Sequence, residues 1–297
     1  MDKLRALRGL VAIAEHGSLS AAARVQGNSL TATVRLLAAL EDELGVRLLN
    51  RTTRRLSLTE DGRQYLERAR RILADLDEAD RMVGDARAEP AGALGITAPV
   101  LFGEYHVAPA VTRFLARHPR VQVRLMLLDR VVNLVEEGLD VGVRIGHLQD
   151  STLVALRVGS VRRVVLASPA FLERHRVPRH PRDLAGLPCL CSDNADSGAW
   201  SFRDPARGHE FKVGVQGPLQ CNLVSARLQA CAEGLGFCRV LSYQAAPLLA
   251  QGLLRIVLED FEAQPWPVSI TYPSTRWLPT RTRAFVDHMA EELRRTL

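Results

Sequence analysis

The chain has 297 residues, of which 47% are hydrophobic and 24% charged, and its formal net charge at pH 7 is +6. Such a composition supports a sizeable core and more than one domain, which excludes a disordered or fibrous protein. Charge is mixed with apolar residues from the start, and no window reaches the apolar length of a membrane span. We therefore expect a globular protein of the cytoplasm that has no secretory leader and does not enter a membrane.

Two short helices joined by a tight turn are predicted near the N-terminus, with the motif at about residues 19–38. Ser18 and Ser29 each precede a run of helix formers and can cap the helices that follow. Gly27 tolerates the left-handed backbone of a turn between them. Three leucines at helical spacing predict the buried face of the second helix: Leu37, Leu40 and Leu44.

The outward face of the second helix suits a groove of DNA. In a helix-turn-helix, the N-terminal residues of the second helix meet base edges in the major groove. Arg35 could donate to guanine or to a phosphate, and Thr31 could contact a base edge or a thymine methyl. The candidate contacts are Ser29, Leu30, Thr31, Val34 and Arg35. An ordinary helical hairpin inside a larger core is the alternative for this pattern taken alone.

A short β-ribbon is predicted after Gly45, because apolar and polar residues alternate on both sides of residues 50–55. Its tip carries Arg51, Arg54 and Arg55 with no acid between them, which suits phosphates or a narrow minor groove. A solvated charged face is the alternative. The position directly after the helix pair favours contact with phosphate.

One long amphipathic helix is predicted from Thr59 to about Arg87. Its apolar residues recur at alternating steps of four and three, which is typical of a seam that packs on another helix. These residues are Tyr65, Ala69, Ile72, Leu76, Ala79, Val83 and Ala86. We expect the seam to pair with the same helix of a second subunit, and packing within the chain is the alternative.

Several motifs between residues 4 and 88 carry a family resemblance. They are Ala21-Ala22-Ala23, Leu40-Glu41, residues 43–48, Arg51-Thr52-Thr53-Arg54 and residues 58–62. This stretch resembles the winged helix-turn-helix and linker helix of LysR-type transcriptional regulators. The resemblance departs from the family pattern at Gln26, Leu30, Thr33 and Val34. Thr33 would occupy a normally buried site, and Val34 lacks a hydroxyl that normally meets DNA, so the family's base contacts do not transfer directly.

Beyond Pro90 and Gly92 the pattern becomes α/β. Strands are predicted at residues 94–98, 121–128 and 141–145, and helices at residues 103–118 and 131–138. Alternating strands and helices predict a largely parallel sheet, and ligands of such sheets bind outside the carboxyl ends of strands. Residues 97–101 and 144–146 occupy that position.

A second α/β set begins near Arg163. Its predicted strands are residues 164–168, 200–202, 211–215 and a strand from Cys238, and its predicted helices are residues 169–175 and 222–233. A last strand at 268–272 and a helix at 281–295 would return to the first set. Such a return gives two lobes with a cleft between them.

Further motifs extend the resemblance over nearly all of this region. They are Thr97-Ala98-Pro99, Phe102-Gly103, residues 107–110, 139–141, 143–146, 167–169, 241–244 and 283–287. They look like the effector-binding domain of a LysR-type subgroup, which implies a periplasmic-binding-protein-like domain (type 2) that holds a small, often anionic organic effector. The positions carried over are Thr97, Pro99, Val100, Leu101, Arg144, Gly146, Trp200, Phe202 and Asn222.

Each of these assignments has a structural alternative. Thr97 could cap the next helix, Arg144 could bridge to Asp140 or Asp150, and the two aromatic residues could belong to the core. The implied α/β multi-domain fold comprises a DNA-binding domain (1–58), a linker helix (59–88) and an effector domain (89–297). Lobe 1 takes residues 89–162 and 267–297, and lobe 2 takes residues 163–266.

The sequence predicts binding rather than catalysis. No nucleophile–base set or metal-ligand spacing is present, so we expect no enzyme and no cofactor. The five cysteines form no C-x-x-C pair, and most are expected to be small buried hydrophobes: Cys189, Cys191, Cys221, Cys231 and Cys238.

The function that follows is an effector-modulated transcriptional regulator. Its expected partners are double-stranded DNA, a small effector, a second copy of the chain, a tetramer of such copies, and RNA polymerase if it activates. An architectural DNA binder without effector, and a solute-binding or enzymatic protein on the two-lobed fold, are the alternatives.

Overall fold

The computed structural model describes residues 2–51, 56–84, 89–148, 153–193, 198–274 and 278–297. Its helices are α1 (Lys3–His16), α2 (Leu19–Val25), α3 (Leu30–Leu44), α4 (Glu60–Gly84), α5 (Val100–Phe102), α6 (Ala108–Arg117), α7 (Pro169–His175), α8 (Val224–Ala232), α9 (Ser242–Ala250) and α10 (Thr280–Thr296). A π-helical turn, Gly103–Val107, joins α5 to α6, and 3₁₀ turns cover Pro181–Leu184 and Glu259–Phe261.

The strands are β1 (Leu49–Arg51), β2 (Leu56–Leu58), β3 (Gly92–Ala98), β4 (Val121–Leu127), β5 (Val141–Ile145), β6 (Leu153–Val161), β7 (Arg163–Ala167), β8 (Cys189–Leu190), β9 (Ala199–Arg203), β10 (Glu210–Gly214), β11 (Phe237–Leu241), β12 (Arg255–Val257) and β13 (Trp266–Pro273). The chain divides into two compact units. The first is Met1–Leu94, Leu115–Arg124 and Thr275–Ala284, and the second is Gly95–Phe114, Leu125–Ser274 and Phe285–Leu297.

The helix pair of the first unit begins with serine caps, as the sequence predicts. Ser18 Oγ accepts from the Ala21 N–H at 3.4 Å, and Ser29 Oγ accepts from the Ala32 N–H at 3.1 Å. Each bond satisfies a backbone donor that has no partner inside its helix. Gly27 has φ +64°, so the turn between α2 and α3 uses the left-handed backbone that glycine adopts without strain.

One small core holds α1, α2, α3 and the ribbon together. Leu10, Leu37, Leu40 and Leu48 are at most 2% exposed within it, and Leu44 packs against it partly buried. The predicted leucine face of α3 is therefore confirmed. Burial of this face leaves the opposite side of α3 to the solvent.

The ribbon and the long helix follow directly. β1 pairs antiparallel with β2 in a register that sets Leu49 opposite Leu58, so the predicted ribbon is confirmed. Its tip, residues 52–55, lies outside the described residues. Thr59 begins α4 by accepting the Gly62 N–H at 2.9 Å and donating to Arg47 O at 2.7 Å.

The α/β part of the chain, from β3 onward, contains two mixed sheets. The first sheet has the strand order β4-β3-β5-β13-β6, and the second sheet has the order β12-β7-β11-β8. β13 returns from the second sheet to the first, as the sequence suggested. The predicted parallel arrangement is confirmed for β3 and β5. The complete sheets are mixed, because β13 runs antiparallel to β5 and β6, and β7 antiparallel to β11 and β12. Strands that leave a sheet and strands that return to it run in opposite directions.

The predicted helix at residues 131–138 is also wrong, because this segment is a turn. Asn133 Oδ1 accepts the Val135 N–H at 3.1 Å, and Gly138 has φ +62°. A side chain that bonds its neighbouring backbone competes with helical hydrogen bonds. The β-branched Val131 and Val132 weaken the helix further.

Two crossing segments connect the sheets. β6 passes into β7 through Arg162 alone, and residues 258–265 lead from β12 to β13. The Arg162 guanidinium joins the two segments, because it lies 2.7 Å from a carboxylate oxygen of Glu262 and 3.2 Å from one of Glu259. These acids hold the pKa of Arg162 above its usual range. The crossing segments are thus linked where the two sheets would hinge.

Candidate DNA interface and effector site

The N-terminal half of α3 has one buried face and one open face. Leu30 is 47% exposed, Thr31 and Arg35 are exposed, and Val34 is partly exposed. On the opposite face, Thr33 is 1% exposed. The open face therefore presents one apolar, one hydroxyl and one guanidinium group from consecutive turns of a helix that can enter a major groove.

Thr33 is a polar residue at a site where the resemblance leads us to expect an apolar one. Its Oγ1 donates to the backbone oxygen of Ser29 at 3.2 Å, so the buried hydroxyl has a partner within the helix. The bond removes the cost of burying the hydroxyl. The departure from the family pattern is consequently compatible with a folded recognition helix.

The ribbon is held to the end of α3 by a carboxylate. Glu41 Oε1 accepts the backbone N–H groups of Leu48 and Leu49 at 2.8 and 3.1 Å. This sets the direction in which β1 leaves the helix pair. The backbone of Arg51 belongs to β1, whereas its side chain and all of Arg54 and Arg55 lie outside what the structure describes.

The seam predicted on α4 is only partly open. Ile72 is 50% exposed and Leu76 partly exposed. Ala69 is 1% exposed and packs with Leu7 and Leu73 in one cluster, against which Tyr65 also rests. The prediction of Ala69 as an intersubunit contact is wrong, and that of Tyr65 is weakened, because α1 of the same chain covers this part of the seam.

The three remaining positions of the predicted seam lie towards the end of α4 or beyond it. Ala79 and Val83 lie in α4, but their side chains are outside the described part of the chain, and so is Ala86. Among the described side chains of α4, the open apolar surface is centred on Ile72 and Leu76.

β3 and β5 run parallel, and Thr97 near the carboxyl end of β3 pairs with Gly142 near the start of β5, so the carboxyl half of β5 extends beyond β3 at the same end of the first sheet. The Thr97 side chain is fully buried, and its hydroxyl has no hydrogen-bond partner among the described residues. Thr97 does not cap α5. Instead, Asp129 Oδ1 accepts the Val100 N–H at 3.0 Å.

Arg144 projects from β5 at the same end. Its Nη2 donates to Val132 O at 3.0 Å, and burial lowers the pKa of the guanidinium. Asp140, one alternative partner, accepts the Gly95 N–H at 2.6 Å, and the other, Asp150, lies outside the described residues. Arg144 thus contributes a partly buried positive charge held by a neutral carbonyl.

The other predicted effector residues differ in exposure. Pro99, Val100 and Leu101 are partly exposed, and Asn222 is exposed two residues before α8 begins. Gly146 has φ +111°, a backbone conformation that residues other than glycine rarely adopt. These residues stay candidates for effector contact.

Trp200 and Phe202 are core residues rather than cleft walls. They are 2% and 3% exposed and belong to the apolar cluster on one face of the second sheet. Both point the same way because side chains alternate along β9. The prediction of Phe202 as an effector contact is wrong, whereas the Trp200 ring also borders a cavity.

An aromatic cluster that the sequence analysis did not predict joins the segment after β3 to α9. The Phe102 and Tyr243 rings meet edge to face with centroids 5.1 Å apart, and the His106 ring lies 4.7 Å from Phe102 and 5.7 Å from Tyr243. Burial lowers the pKa of His106 and raises that of Tyr243. The chain separation of about 140 residues left no local signal for this contact.

Together these elements define a class of protein. A winged helix-turn-helix with an open recognition face is joined through a long helix to an α/β unit whose two sheets are connected by crossing strands. This is a DNA-binding regulator with a ligand-sensing domain.

Comparison with known proteins gives the family. Residues 4–63 match the bacterial regulatory helix-turn-helix protein family, lysR type, and residues 87–294 match the LysR substrate binding domain. The regulator PtxR of Pseudomonas aeruginosa is 34% identical over 292 residues, which cover 98% of this chain and 93% of that protein. The regulator DmlR of Escherichia coli is 33% identical over 290 residues, covering 97% and 94%.

A solved structure of CrgA, a LysR-type regulator from Neisseria meningitidis, has a TM-score of 0.62 at 31% identity and covers 97% of this chain and 98% of that one. The chain belongs to the LysR family of transcriptional regulators. It is a DNA-binding transcriptional regulator whose effector-binding domain modulates its activity.

The described ranges contain neither of two features that would indicate another role. They hold no group of three or more His, Cys, Asp or Glu residues arranged to bind a metal ion. They also include no helix with the length and apolar character needed to cross a membrane.

Proposed function

We propose that residues 1–58 read DNA, residues 59–88 link and pair two subunits, and residues 89–297 bind the effector. The observation that carries the proposal is the two-faced recognition helix. Thr31 and Arg35 are open to solvent, whereas Thr33 and Leu37 anchor the opposite face in the core. An α-helix presented in this way fits the major groove.

Ser29, Leu30, Thr31, Val34 and Arg35 are the proposed groove contacts. Arg35 discriminates bases by donating to guanine, and the exposed Leu30 side chain contacts a thymine methyl group. Arg51, Arg54 and Arg55 on the ribbon hold phosphates or enter the minor groove, which fixes position without reading sequence.

The exposed Ile72 and Leu76 support pairing through α4, because apolar side chains of this size favour burial. A pair of subunits presents two recognition helices to a two-fold DNA site. Dimers associate further into tetramers, and an activating complex also contacts RNA polymerase. The protein acts in the cytoplasm, where its DNA target lies.

The effector site at the edge of β3 and β5 uses Thr97, Pro99, Val100, Leu101, Arg144, Gly146 and Asn222. The unpartnered buried hydroxyl of Thr97 and the partly buried charge of Arg144 support a polar, anionic effector. The domain binds this molecule and does not transform it, so no enzyme activity and no cofactor are proposed.

The test is selection of bound fragments from random duplex DNA by the purified full-length protein. The wild type should enrich a defined sequence with a Kd of ~10 nM or tighter at physiological salt. Arg35→Ala should relax preference at particular base pairs. Arg54→Ala should weaken binding to every sequence and reduce the salt slope by about 1.

Arg117→Ala is the matched control, since it removes an exposed arginine from α6. It should leave both the enriched sequence and the affinity unchanged. Equal losses on all sequences for Arg35→Ala and Arg54→Ala would show that Arg35 binds phosphate and does not read bases.

A further inference from the structure

The cavity that Trp200 borders lies in the second unit, at the point where the crossing segments enter the sheets. It has a volume of about 150 Å³, smaller than the ~300–1,000 Å³ of pockets that enclose drug-sized ligands. Arg163 at the start of β7 and Trp266 at the start of β13 border it. We call it the hinge pocket, and its other key residues are Trp200, Arg227, Arg239 and Gln244. Of the residues predicted for the effector, only Trp200 borders it.

Three guanidinium groups face this one small space, and no acidic residue within the described part of the chain lines it. Arg239 pairs with Val165 and Leu241 pairs with Arg163 in neighbouring antiparallel strands, so the two arginines are diagonal neighbours on one sheet face. Positive charge is therefore concentrated at the end of the second sheet. Like charges held close together favour an anion between them.

Two of the arginines are positioned by aromatic rings. The Arg163 guanidinium carbon lies 4.6 Å from the Trp266 ring centroid, and that of Arg239 lies 5.5 Å from the Trp200 ring centroid. Arg239 also donates to Ser201 O at 3.2 Å. Cation–π contact fixes the plane of a guanidinium.

Arg227 gives the strongest indication of a missing partner. The residue is 6% exposed, and among the described residues its Nε has no hydrogen-bond partner and no carboxylate lies within salt-bridge distance. Its Nη1 makes only long contacts, at 3.4 Å to Arg239 O and 4.0 Å to Cys238 Sγ. A buried charge without a counter-ion is unfavourable, and an oxyanion is the group that a guanidinium binds with two parallel hydrogen bonds.

We propose that the hinge pocket binds a small oxyanion, a carboxylate or a phosphate, through Arg227 with Arg239 and Arg163. The inference rests on the proposed effector response and deepens it by giving the response a location and a ligand chemistry. A bound anion would join residues from β7, β11 and α8, next to the strand that returns to the first sheet.

Thermal unfolding of the full-length protein tests the proposal. Inorganic phosphate and benzoate are titrated separately, each against sodium chloride at matched ionic strength. A bound anion raises the unfolding midpoint of the wild type by ~5–10 °C at about 100 times its Kd. Arg227→Met should abolish the rise while keeping an unfolding midpoint at or above that of the wild type without anion, because it removes the buried charge.

Arg174→Met is the matched control. Arg174 is an exposed arginine on α7, the helix that follows β7, and among the described residues it donates only to the backbone oxygens of Ala170 and Gly234. This variant should keep the full rise. Arg227→Lys is a second variant that preserves the charge, and its Kd for the anion should increase at least tenfold because the fork of donors is lost. Quenching of tryptophan fluorescence by the same anions gives an independent Kd.

A rise with phosphate alone, or with benzoate alone, identifies which oxyanion the pocket accepts, and either supports the proposal. No rise with any anion, or an equal rise in the wild type and Arg227→Met, overturns it. These outcomes are independent of DNA binding. Selection of a defined DNA sequence together with no anion effect would reject the pocket and leave the proposed DNA contacts standing.

Discussion

Gly62 is the residue at which the long helix comes nearest to the ribbon. A Cβ atom built there would lie 2.0 Å from the backbone oxygen of Leu48. No side-chain rotation can relieve a clash with backbone, so the helix or the ribbon would have to move. The fixed entry of α4 into the DNA-binding domain therefore depends on a glycine at this position.

We expect Gly62→Ala to lower the free energy of unfolding by about 2 kcal/mol, as other overpacking substitutions do. Gly9→Ala is its control, because a Cβ at Gly9 would meet its nearest neighbour, Gln26, at an ordinary 3.7 Å. Removing a helical glycine there should be neutral or stabilise by up to about 1 kcal/mol. Chemical denaturation of both variants decides the point, and equal effects would contradict the close approach.

The cysteines are predicted to differ sharply in reactivity. Cys189, Cys191, Cys231 and Cys238 are buried, whereas Cys221 is partly exposed, and all five are free. Burial raises the pKa of Cys189 to about 12 and that of Cys238 to about 11. The thiolate is the reactive form, so a thiol reagent should label one site quickly in the native protein and four more only on unfolding. Rapid labelling of two or more would contradict the buried assignment.

His106 makes stability depend on pH. Burial lowers its folded-state pKa below the ordinary value of 6.5, so the unfolded chain binds the proton more readily. The contribution of His106 is therefore complete above about pH 6.5 and is lost as the pH falls towards the folded-state pKa. His106→Phe keeps a ring in the cluster. As the pH falls from about 8 to about 5.5, the unfolding midpoint of this variant should fall less than that of the wild type. Equal falls in the two proteins would exclude His106 as the cause of the pH dependence.

At the scale of elements, α4 packs on α1 with one part of its apolar face and leaves another part open for the proposed second subunit. Ala69 and Leu73 pack on α1 of the same chain, whereas Ile72 stays half exposed. Ile72→Asp should therefore convert the proposed dimer into monomers without unfolding the DNA-binding domain. Gln64→Asp, a change at an exposed position of the same helix, should leave the dimer intact. Sedimentation velocity distinguishes the two, and a dimer in Ile72→Asp would reject this surface.

Local signals predicted the elements whose cause is local. Ser18, Ser29 and Gly27 lie next to the helix ends that they determine, and the spacing of Leu37 and Leu40 is a property of one helix. These features could be predicted from the sequence because a cap or a periodic face needs only neighbouring residues. The same applies to the short ribbon and to most strands of the second unit.

Features that depend on distant partners were not predicted. The strand directions in both sheets follow from where crossing segments enter, and Ala69 is buried because α1 happens to cover it. Phe202 lies in a strand whose side chains alternate between two faces, and no local pattern indicates which face of that strand packs against the second sheet. Thr97 and Arg144 were predicted at one sheet edge because parallel strands bring their carboxyl ends together. Arg227 was missed because its neighbours in sequence carry no related pattern.

At the scale of the whole molecule, function depends on coupling a ligand to a DNA site. Within the second unit, contacts between described residues connect the sheets. One is the ion-paired crossing at Arg162, and another is the Phe102–Tyr243 aromatic contact. A ligand that favours one arrangement of these contacts shifts the population of states by its differential affinity. That shift is the physical basis of effector control in a regulator of this family.

The most direct measurement is footprinting of the purified full-length protein on genomic fragments that it retains at physiological salt. The recognition surface on α3 and the pairing surface on α4 predict a small set of retained fragments, each protected at two related half-sites about 34–36 Å apart or a multiple of that spacing. Retention of all fragments alike, with no preferred protected sequence, would contradict sequence reading by the open face of α3.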